Sequence, residues 1–243
     1  MRYAIISDVH ANLEALEVVL GDIDRRRADA LICLGDFVGY GPDPVACVER
    51  LRPGLAGGVV GNHDRAAVGT LDITDFNPLA QAAILWTREQ LTAPVRAFLR
   101  DLPSQITPDG FLAVHGSVRD PVEEYIIDPR AARASFLAGS FRLCVVGHTH
   151  MPAIFTLDGD VVSVANFAAD ESLRLEPARR YIVNVGSVGQ PRDGDRRAAY
   201  AWFDEAQQVI TMMRLDYPVE RTQKKMAEAG LPPMLAERLA HGR

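Results

Sequence analysis

Five short apolar runs punctuate the first 150 residues, and each one ends on polar chemistry. YAIIS leads to Asp8-Val9-His10, ALICLG to Asp36, and GGVVG to Asn62-His63-Asp64. GFLAV leads to His115-Gly116-Ser117 and LCVVG to His148-Thr149-His150. Continuous apolar runs of this length, bounded by glycine or polar residues, predict strands buried on both faces. Between the first two runs, Leu13, Leu16, Leu20 and Ile23 recur at helical spacing behind Asn12, a good N-cap. Asp8 and Asp36 lie 28 positions apart, and Asp36 and Asn62 lie 26 apart. Such intervals fit strand–helix–strand units with parallel strands.

Residues 77–101 predict one or two helices with a break near Pro94. Beyond residue 150 the texture changes. AIFTLDGDVVSV, RRYIVNVGSVG and AAYAWFDEAQQVITMMRL predict shorter β elements, with a hairpin turn at Asp158-Gly159. A polar helical tail begins near Pro218. No repeat, low-complexity tract or linker interrupts the chain. The expectation is one domain over residues 1–243, with 65–105 a helical insert near the site and 218–243 the tail.

Composition narrows the class. At 243 residues and 48% hydrophobic, the chain can bury a sizeable core. It has no apolar run long enough for a membrane span, and MRYAII reaches Asp8 without a signal-peptide pattern. Cys33, Cys47 and Cys144 are scattered without CxxC spacing, which predicts a reduced, cytoplasmic protein. The net charge of −6 weighs against a protein that grips long nucleic acid. It leaves a small phosphorylated substrate open, because a bound metal reverses the local field.

The polar residues at the run ends are the informative part. In open α/β sheets, ligands bind beyond the carboxyl ends of the strands. Alternation along a strand would aim Asp8 with His10, and His148 with His150. Five of the six histidines (His10, His63, His115, His148 and His150) lie at run ends, and His241 alone stands apart. Together with Asp8, Asp36 and Asn62 they offer carboxylate, amide and imidazole donors without a thiolate. That donor set suits Mn, Fe, Zn, Ni or Co rather than calcium. It is too large for one tetrahedral ion and right for two sharing a bridging carboxylate.

Plainer readings exist for each residue. Asp8 and Asp36 would serve as helix caps, Asn62 as a turn residue and His115 as a satisfied core histidine; none of these explains the other histidines. Gly39-Tyr40-Gly41-Pro42 reads as a turn, with Tyr40 a candidate for substrate contact. GSVGQPRDGD reads either as a glycine-rich hairpin or as Gly186-Ser187 amides near the metals with Arg192 turned to a phosphate. The helix around Ile84, Leu85 and Trp86 reads as core rather than lid, and Lys224-Lys225 as a solvated face.

DVH, GDFVGYGP, GNHD, VHGS and GHTH, in this order, resemble the motifs of the calcineurin-like metallophosphoesterases. The resemblance spans residues 5–152, and NVGSVGQPRDGD extends it. It implies an α/β fold, a four-layer αββα sandwich of two mixed β-sheets flanked by helices. It also implies two divalent or transition metal ions. Asp8, His10 and His150 would hold the first, and Asn62, His115 and His148 the second, with Asp36 bridging. His63 would face the substrate.

The implied reaction is hydrolysis of a small phosphodiester or nucleotide phosphoanhydride. A hydroxide between two metals about 3.5–4 Å apart would attack in line. His63 would protonate the leaving group, with Asp64 orienting or charging it. The chain lacks the GDxVDRG and GNHE of the protein phosphatases, which disfavours that branch. It resembles instead the compact bacterial and archaeal branch that includes enzymes similar to diadenosine tetraphosphate hydrolases. The alternatives are a phosphomonoesterase or protein phosphatase, or a nuclease, on the same site, or a catalytically silent metal-binding scaffold. A complete ligand set argues against the scaffold. The metal, the substrate and the oligomeric state are not legible in the chain.

Overall fold

A computed structural model describes residues 1–243. Its twelve strands form two six-stranded mixed sheets. The first holds β1 (Arg2–Ile6), β2 (Ala30–Cys33), β3 (Leu55–Gly58), β9 (Ser172–Arg174), β11 (Ala198–Asp204) and β12 (Val209–Leu215), in the order β3-β2-β1-β11-β12-β9. The second holds β4 (Gln105–Ile106), β5 (Leu112–Val114), β6 (Leu143–Val146), β7 (Ala153–Asp158), β8 (Val161–Asn166) and β10 (Arg180–Asn184), in the order β4-β5-β6-β10-β7-β8. β1, β2 and β3 run parallel, as do β5, β6 and β10; the other pairings are antiparallel.

The helices are α1 (Leu13–Arg26), α2 (Pro44–Leu51), α3 (Asn62–Ala67), α4 (Pro78–Gln90), α5 (Ala93–Asp101), α6 (Pro129–Ala138), α7 (Val219–Glu228) and α8 (Pro233–Glu237). Period-2 alternation along the strands sorts their side chains into separate cores. Tyr3 and Ile5 of β1 meet Leu143 and Val145 of β6 in a cluster of 21 residues between the sheets. Ala4 and Ile6 face the other way, into a cluster of 33 residues under α1, α2, α4, α5, α7 and α8. Cys144 and Val146 of β6 pack outward on Phe136 of α6. The result is the expected four-layer sandwich of two mixed sheets between helices. No helix is long and apolar enough to cross a membrane, and the three cysteines are buried and free.

Several local expectations shift by a residue or two. Asn12 caps α1, its Oδ1 accepting the Ala15 N–H at 3.2 Å. The 77–101 helices part at Leu91-Thr92, and Pro94 lies in the first turn of α5, where its missing N–H costs nothing. Asp158 is still paired with Val161, so the β7–β8 loop consists of Gly159 and Asp160. In α4, Ile84 is buried and Leu85 is exposed, so one face of that helix packs and the other meets solvent.

The GSVGQPRDGD stretch is not a hairpin. It joins β10 to β11, which belong to different sheets, so it crosses from one sheet to the other. Nor is the lysine pair uniformly solvated. Lys224 is exposed, but Lys225 bridges Glu14 at 2.6 Å and Asp43 at 2.9 Å, clamping α7 onto the first and second helices.

The tail is therefore part of the core rather than an appendage. Val219, Met226, Leu231, Leu235 and Leu239 are all buried in the larger helix-side cluster. Leu235→Ala is expected to cost about 2–5 kcal/mol, as a fully buried leucine should, read as a lower midpoint in urea unfolding. A loss below about 0.5 kcal/mol, the range of surface substitutions, would mean that the tail does not dock.

Candidate metal centre

Six parallel strands end at one edge of the sandwich, and the loops that follow them converge there. β1 delivers Asp8 and His10, β2 Asp36, β3 Asn62, β5 His115, and β6 His148 and His150. The loops are stitched by backbone bonds: Asp8 N–H to Gly35 O at 3.0 Å, His10 N–H to Asp36 O at 2.9 Å, and Gly189 N–H to Asp8 O at 2.9 Å. Two glycines permit the close approach. A Cβ on Gly61 would overlap Asp36 Oδ1, and one on Gly147 would overlap Ser7 Oγ and crowd Asp8 Oδ2.

The expected strand alternation is not what aims these residues. β1 stops at Ile6 and β6 at Val146, before the first donor of each pair. Asp8, His10, Asp36, His148 and His150 all adopt the left-handed backbone region, with φ between 47° and 65°. A non-glycine residue there costs about 1–2 kcal/mol, and such strain clusters at functional sites. The kinked backbone separates His148 from His150. His150 groups with Asp8, His10 and Asp36, whereas His148 groups with Asp36 and His115, and Asp36 is common to both sets.

Each imidazole is oriented by a main-chain carbonyl. Nδ1 of His10 donates to Val38 O at 3.1 Å, that of His115 to Leu34 O at 2.8 Å, and that of His150 to Gln190 O at 2.6 Å. His148 is reversed, with Nε2 donating to Glu123 O at 3.0 Å. A carbonyl only accepts, so the bonded nitrogen carries the proton. Burial, foremost, pushes all four rings below the usual histidine range, His150 to about 4. The rings are therefore neutral, and the remaining nitrogen of each is a bare lone pair.

Those lone pairs face one another. His10 Nε2 and His150 Nε2 are 3.1 Å apart, and His115 Nε2 and His148 Nδ1 are 3.0 Å apart. No proton is left to bond either pair. Asp36 Oδ2, buried and without a hydrogen bond, lies 3.6 Å from His10 Nε2 and 3.5 Å from His115 Nε2. Asp8 Oδ1, likewise unbonded, lies 3.2 Å from His150 Nε2. Asn62 Oδ1 is 3.2 Å from His115 Nε2. Burial, reinforced by Asp64 and Asp8, holds the Asp36 carboxyl well above the carboxylate range. Acceptors gathered this closely in a dry site call for a cation. Two metal–nitrogen bonds of about 2.0–2.1 Å reach such a pair comfortably. The residues fit divalent metal.

His63 is 4% exposed and lies beside the donors, 4.8 Å from the His10 ring, 4.4 Å from Tyr40 and 5.3 Å from Phe76. Its Nδ1 has no partner. Burial and then the Arg192 charge push its pKa well down. Asp64 does not orient this ring. Its carboxylate accepts the N–H groups of Gly61 at 3.0 Å and Val38 at 3.2 Å, fixing the start of α3 against the β2 loop. Burial raises it to about 7.

The Gly186 amide is not offered to a phosphate, since its N–H goes to Asn184 Oδ1, and Ser187 uses its Oγ to donate to Asp8 O. Arg192 stands 5.6 Å over the Tyr40 ring.

The donors open into a cleft of about 380 Å³ walled by Tyr40, His63, Phe76, Glu123, Tyr125 and His148, among others. Tyr125 stacks on His148 with ring centroids 3.8 Å apart. Asp75, Phe76, Asn77 and Ala80 bring the 65–105 insert to this wall. Sequence reasoning missed Glu123, Tyr125 and Gln190. Two of them act through a main-chain oxygen, which any residue type supplies, and Tyr125 stands eight positions beyond the end of its nearest motif at Ser117.

The chain matches the calcineurin-like phosphoesterase superfamily domain over residues 1–208. It is 37% identical to an uncharacterised protein of Methanocaldococcus jannaschii, over 99% of this chain and 98% of that one. A crystal structure of a metallophosphoesterase from Sphaerobacter thermophilus superimposes with a TM-score of 0.90 at 45% identity, covering 100% of this chain and 99% of the other. A hypothetical protein from Pyrococcus horikoshii shares the fold at 18% identity, with a TM-score of 0.80 and coverage of 100% and 98%.

Mn²⁺ at 100 times its dissociation constant should stabilise the metal-free protein by about 2.7 kcal/mol, seen as a higher thermal midpoint that a chelator reverses. Asp36→Asn should lose most of that gain. An unchanged midpoint with excess Mn²⁺, Zn²⁺, Co²⁺ or Ni²⁺ would show that the donors serve another purpose.

Proposed function

This chain belongs to the calcineurin-like phosphoesterase superfamily, hydrolases that act on phosphoric ester bonds with divalent metals, and from that premise we propose a two-metal phosphoesterase for small phosphodiesters or nucleotide phosphoanhydrides. One observation carries the reading: two pairs of facing, unprotonated imidazole nitrogens lie on either side of the unbonded Asp36 Oδ2. That arrangement divides the donors in two. Asp8, His10 and His150 would hold one ion, Asn62, His115 and His148 the other, with Asp36 shared. Ions bound there would acidify water toward a pKa of about 7 and offset charge on the phosphoryl oxygens.

The remaining work falls to the chain. Carbonyls of Val38, Leu34, Gln190 and Glu123 hold the imidazoles in one tautomer and one orientation. His63 presents an unbonded ring nitrogen beside the donors. An entering anionic phosphoryl group raises its pKa, because a negative neighbour favours the protonated ring. The ring can then give its proton to a departing alkoxide. The insert residues Asp75, Phe76 and Asn77, with Tyr125 and Tyr40, shape the space for the leaving group, and the cleft accommodates a small molecule.

Metal analysis of reconstituted protein should give two ions per chain. A panel of a bis-aryl phosphodiester, an aryl monoester and a dinucleoside polyphosphate should show turnover; inactivity on all three with both ions bound would favour a binding scaffold. His63→Ala should keep its metal and lose about 10²–10⁴-fold in kcat on poor leaving groups, with a much smaller loss on activated aryl esters. Equal losses on both, or loss of metal, would remove His63 from the proton-donor role.

A further inference from the structure

The loop from β5 to α6 holds an aromatic ring against the metal centre. Its start folds on itself, the Gly116 N–H donating to Pro121 O at 2.8 Å and the Ser117 N–H to Asp120 O at 2.9 Å. Ser117 Oγ donates to Glu124, which also pairs with Arg119, and Val122 and Ile126 are buried. Between those two anchors, Glu123 lends its carbonyl to His148 Nε2, and Tyr125 lies flat on the same imidazole at an interplanar angle of 15°. The Tyr125 ring is thus fixed before anything binds, which lowers the entropic cost of packing a group against it.

Stacking on His148 uses one face of Tyr125. The residue is still 46% exposed, and it walls the cleft of about 380 Å³ together with Tyr40 and Phe76. A lone exposed aromatic is ordinary on a protein surface. Three that line one cleft beside unbonded metal donors offer a flat group places to stack. Tyr40 and Phe76 both pack on His63, at 4.4 and 5.3 Å between ring centroids, so the cleft has aromatic walls at His148 and at His63. Charge narrows what fits between them. Asp75 and Glu123 line the cleft, and no lysine or arginine does. Arg192 stands over Tyr40 but is not among the walls, and its guanidinium donates to Gln190 Oε1 at 2.8 Å. Metal ions at the donors would offset the charge of one phosphoryl group; the cleft walls hold no cation for a second.

We propose that Tyr125 is a specificity-determining residue, and that the group esterified to the phosphoryl is a flat, uncharged ring system, an aryl or nucleoside alcohol, stacked on its open face. The inference deepens the phosphoesterase reading and rests on it. It favours a phosphoester over a phosphoanhydride, whose next group is another phosphate and would meet Asp75 and Glu123 without a counter-charge.

Phosphonates keep the phosphoryl oxygens and replace the ester with a stable P–C bond, so calorimetric titration of the Mn²⁺-loaded protein reads binding without turnover. Phenylphosphonate should bind at least about ten-fold more tightly than methylphosphonate, near the lower end of what one base–aromatic stack contributes. Tyr125→Ala should cut that preference to about two-fold or less, and so should Tyr125→Leu, which keeps an apolar cover on His148; Tyr125→Phe should retain it. p-Carboxyphenylphosphonate should bind about five-fold more weakly than phenylphosphonate, the effect of one like charge at contact distance in water. Asp75→Asn combined with Glu123→Gln should narrow that gap. An equal loss of both unsubstituted phosphonates in Tyr125→Ala makes the residue a prop for His148 and overturns the stack. A wild-type preference below about two-fold, short of one stack, or no binding of either, overturns it as well. A carboxylated ring that binds as tightly as the plain one overturns the uncharged class. Turnover of bis(p-nitrophenyl) phosphate is read separately: its absence with metal bound sinks the phosphoesterase reading, and with it the ester, whatever the phosphonates do.

Discussion

Two pairs of imidazole lone pairs, each pair about 3 Å apart, meet across one unbonded carboxylate oxygen. Without a cation this is a repulsive arrangement in a place too dry to screen it. The chain nevertheless holds it. Four ring orientations are set by carbonyls that no protonation change in the rings can release. Five donors sit in left-handed backbone, each at a cost of about 1–2 kcal/mol. Strain of this size persists only when the surrounding structure over-determines it.

The over-determination comes from the sandwich. Parallel strands of both sheets end at one edge, and a rigid core between the sheets keeps those ends together. The crossing connection from β10 to β11 then closes over the site, bonding Asp8 through Ser187 and Gly189 and orienting His150 through Gln190. Beneath it, α7 braces the first loop: Thr222 Oγ1 donates to Asn12 Oδ1 at 2.9 Å, and Lys225 pairs with Glu14 and Asp43. The C-terminal segment thus supports the donors without supplying one.

The candidate site was legible because its donors follow apolar runs, and apolar runs of strand length say where a parallel sheet ends. Asp8, His10, Asp36, Asn62, His115, His148 and His150 do come together. The reason offered for their aim, alternation along a strand, does not hold, since the strands stop short and the backbone turns left-handed. Asp64 was paired with His63 by adjacency alone. On α3 its carboxylate instead turns back to the helix start, where N–H groups are unsatisfied. Lys225 looked solvated because its partners, Glu14 and Asp43, are some two hundred positions away.

The amino-acid order by itself determined the strand–helix alternation, the inventory of donors and the places along the chain where they cluster. These depend on local periodicity and residue chemistry, which are written position by position. Only the tertiary structure decided which histidines gather with which carboxylate and which ring nitrogen each one leaves free. Such facts depend on carbonyls and loops brought together from distant positions. A main-chain oxygen has no side-chain signature, so its role appears only once the chain has folded around it.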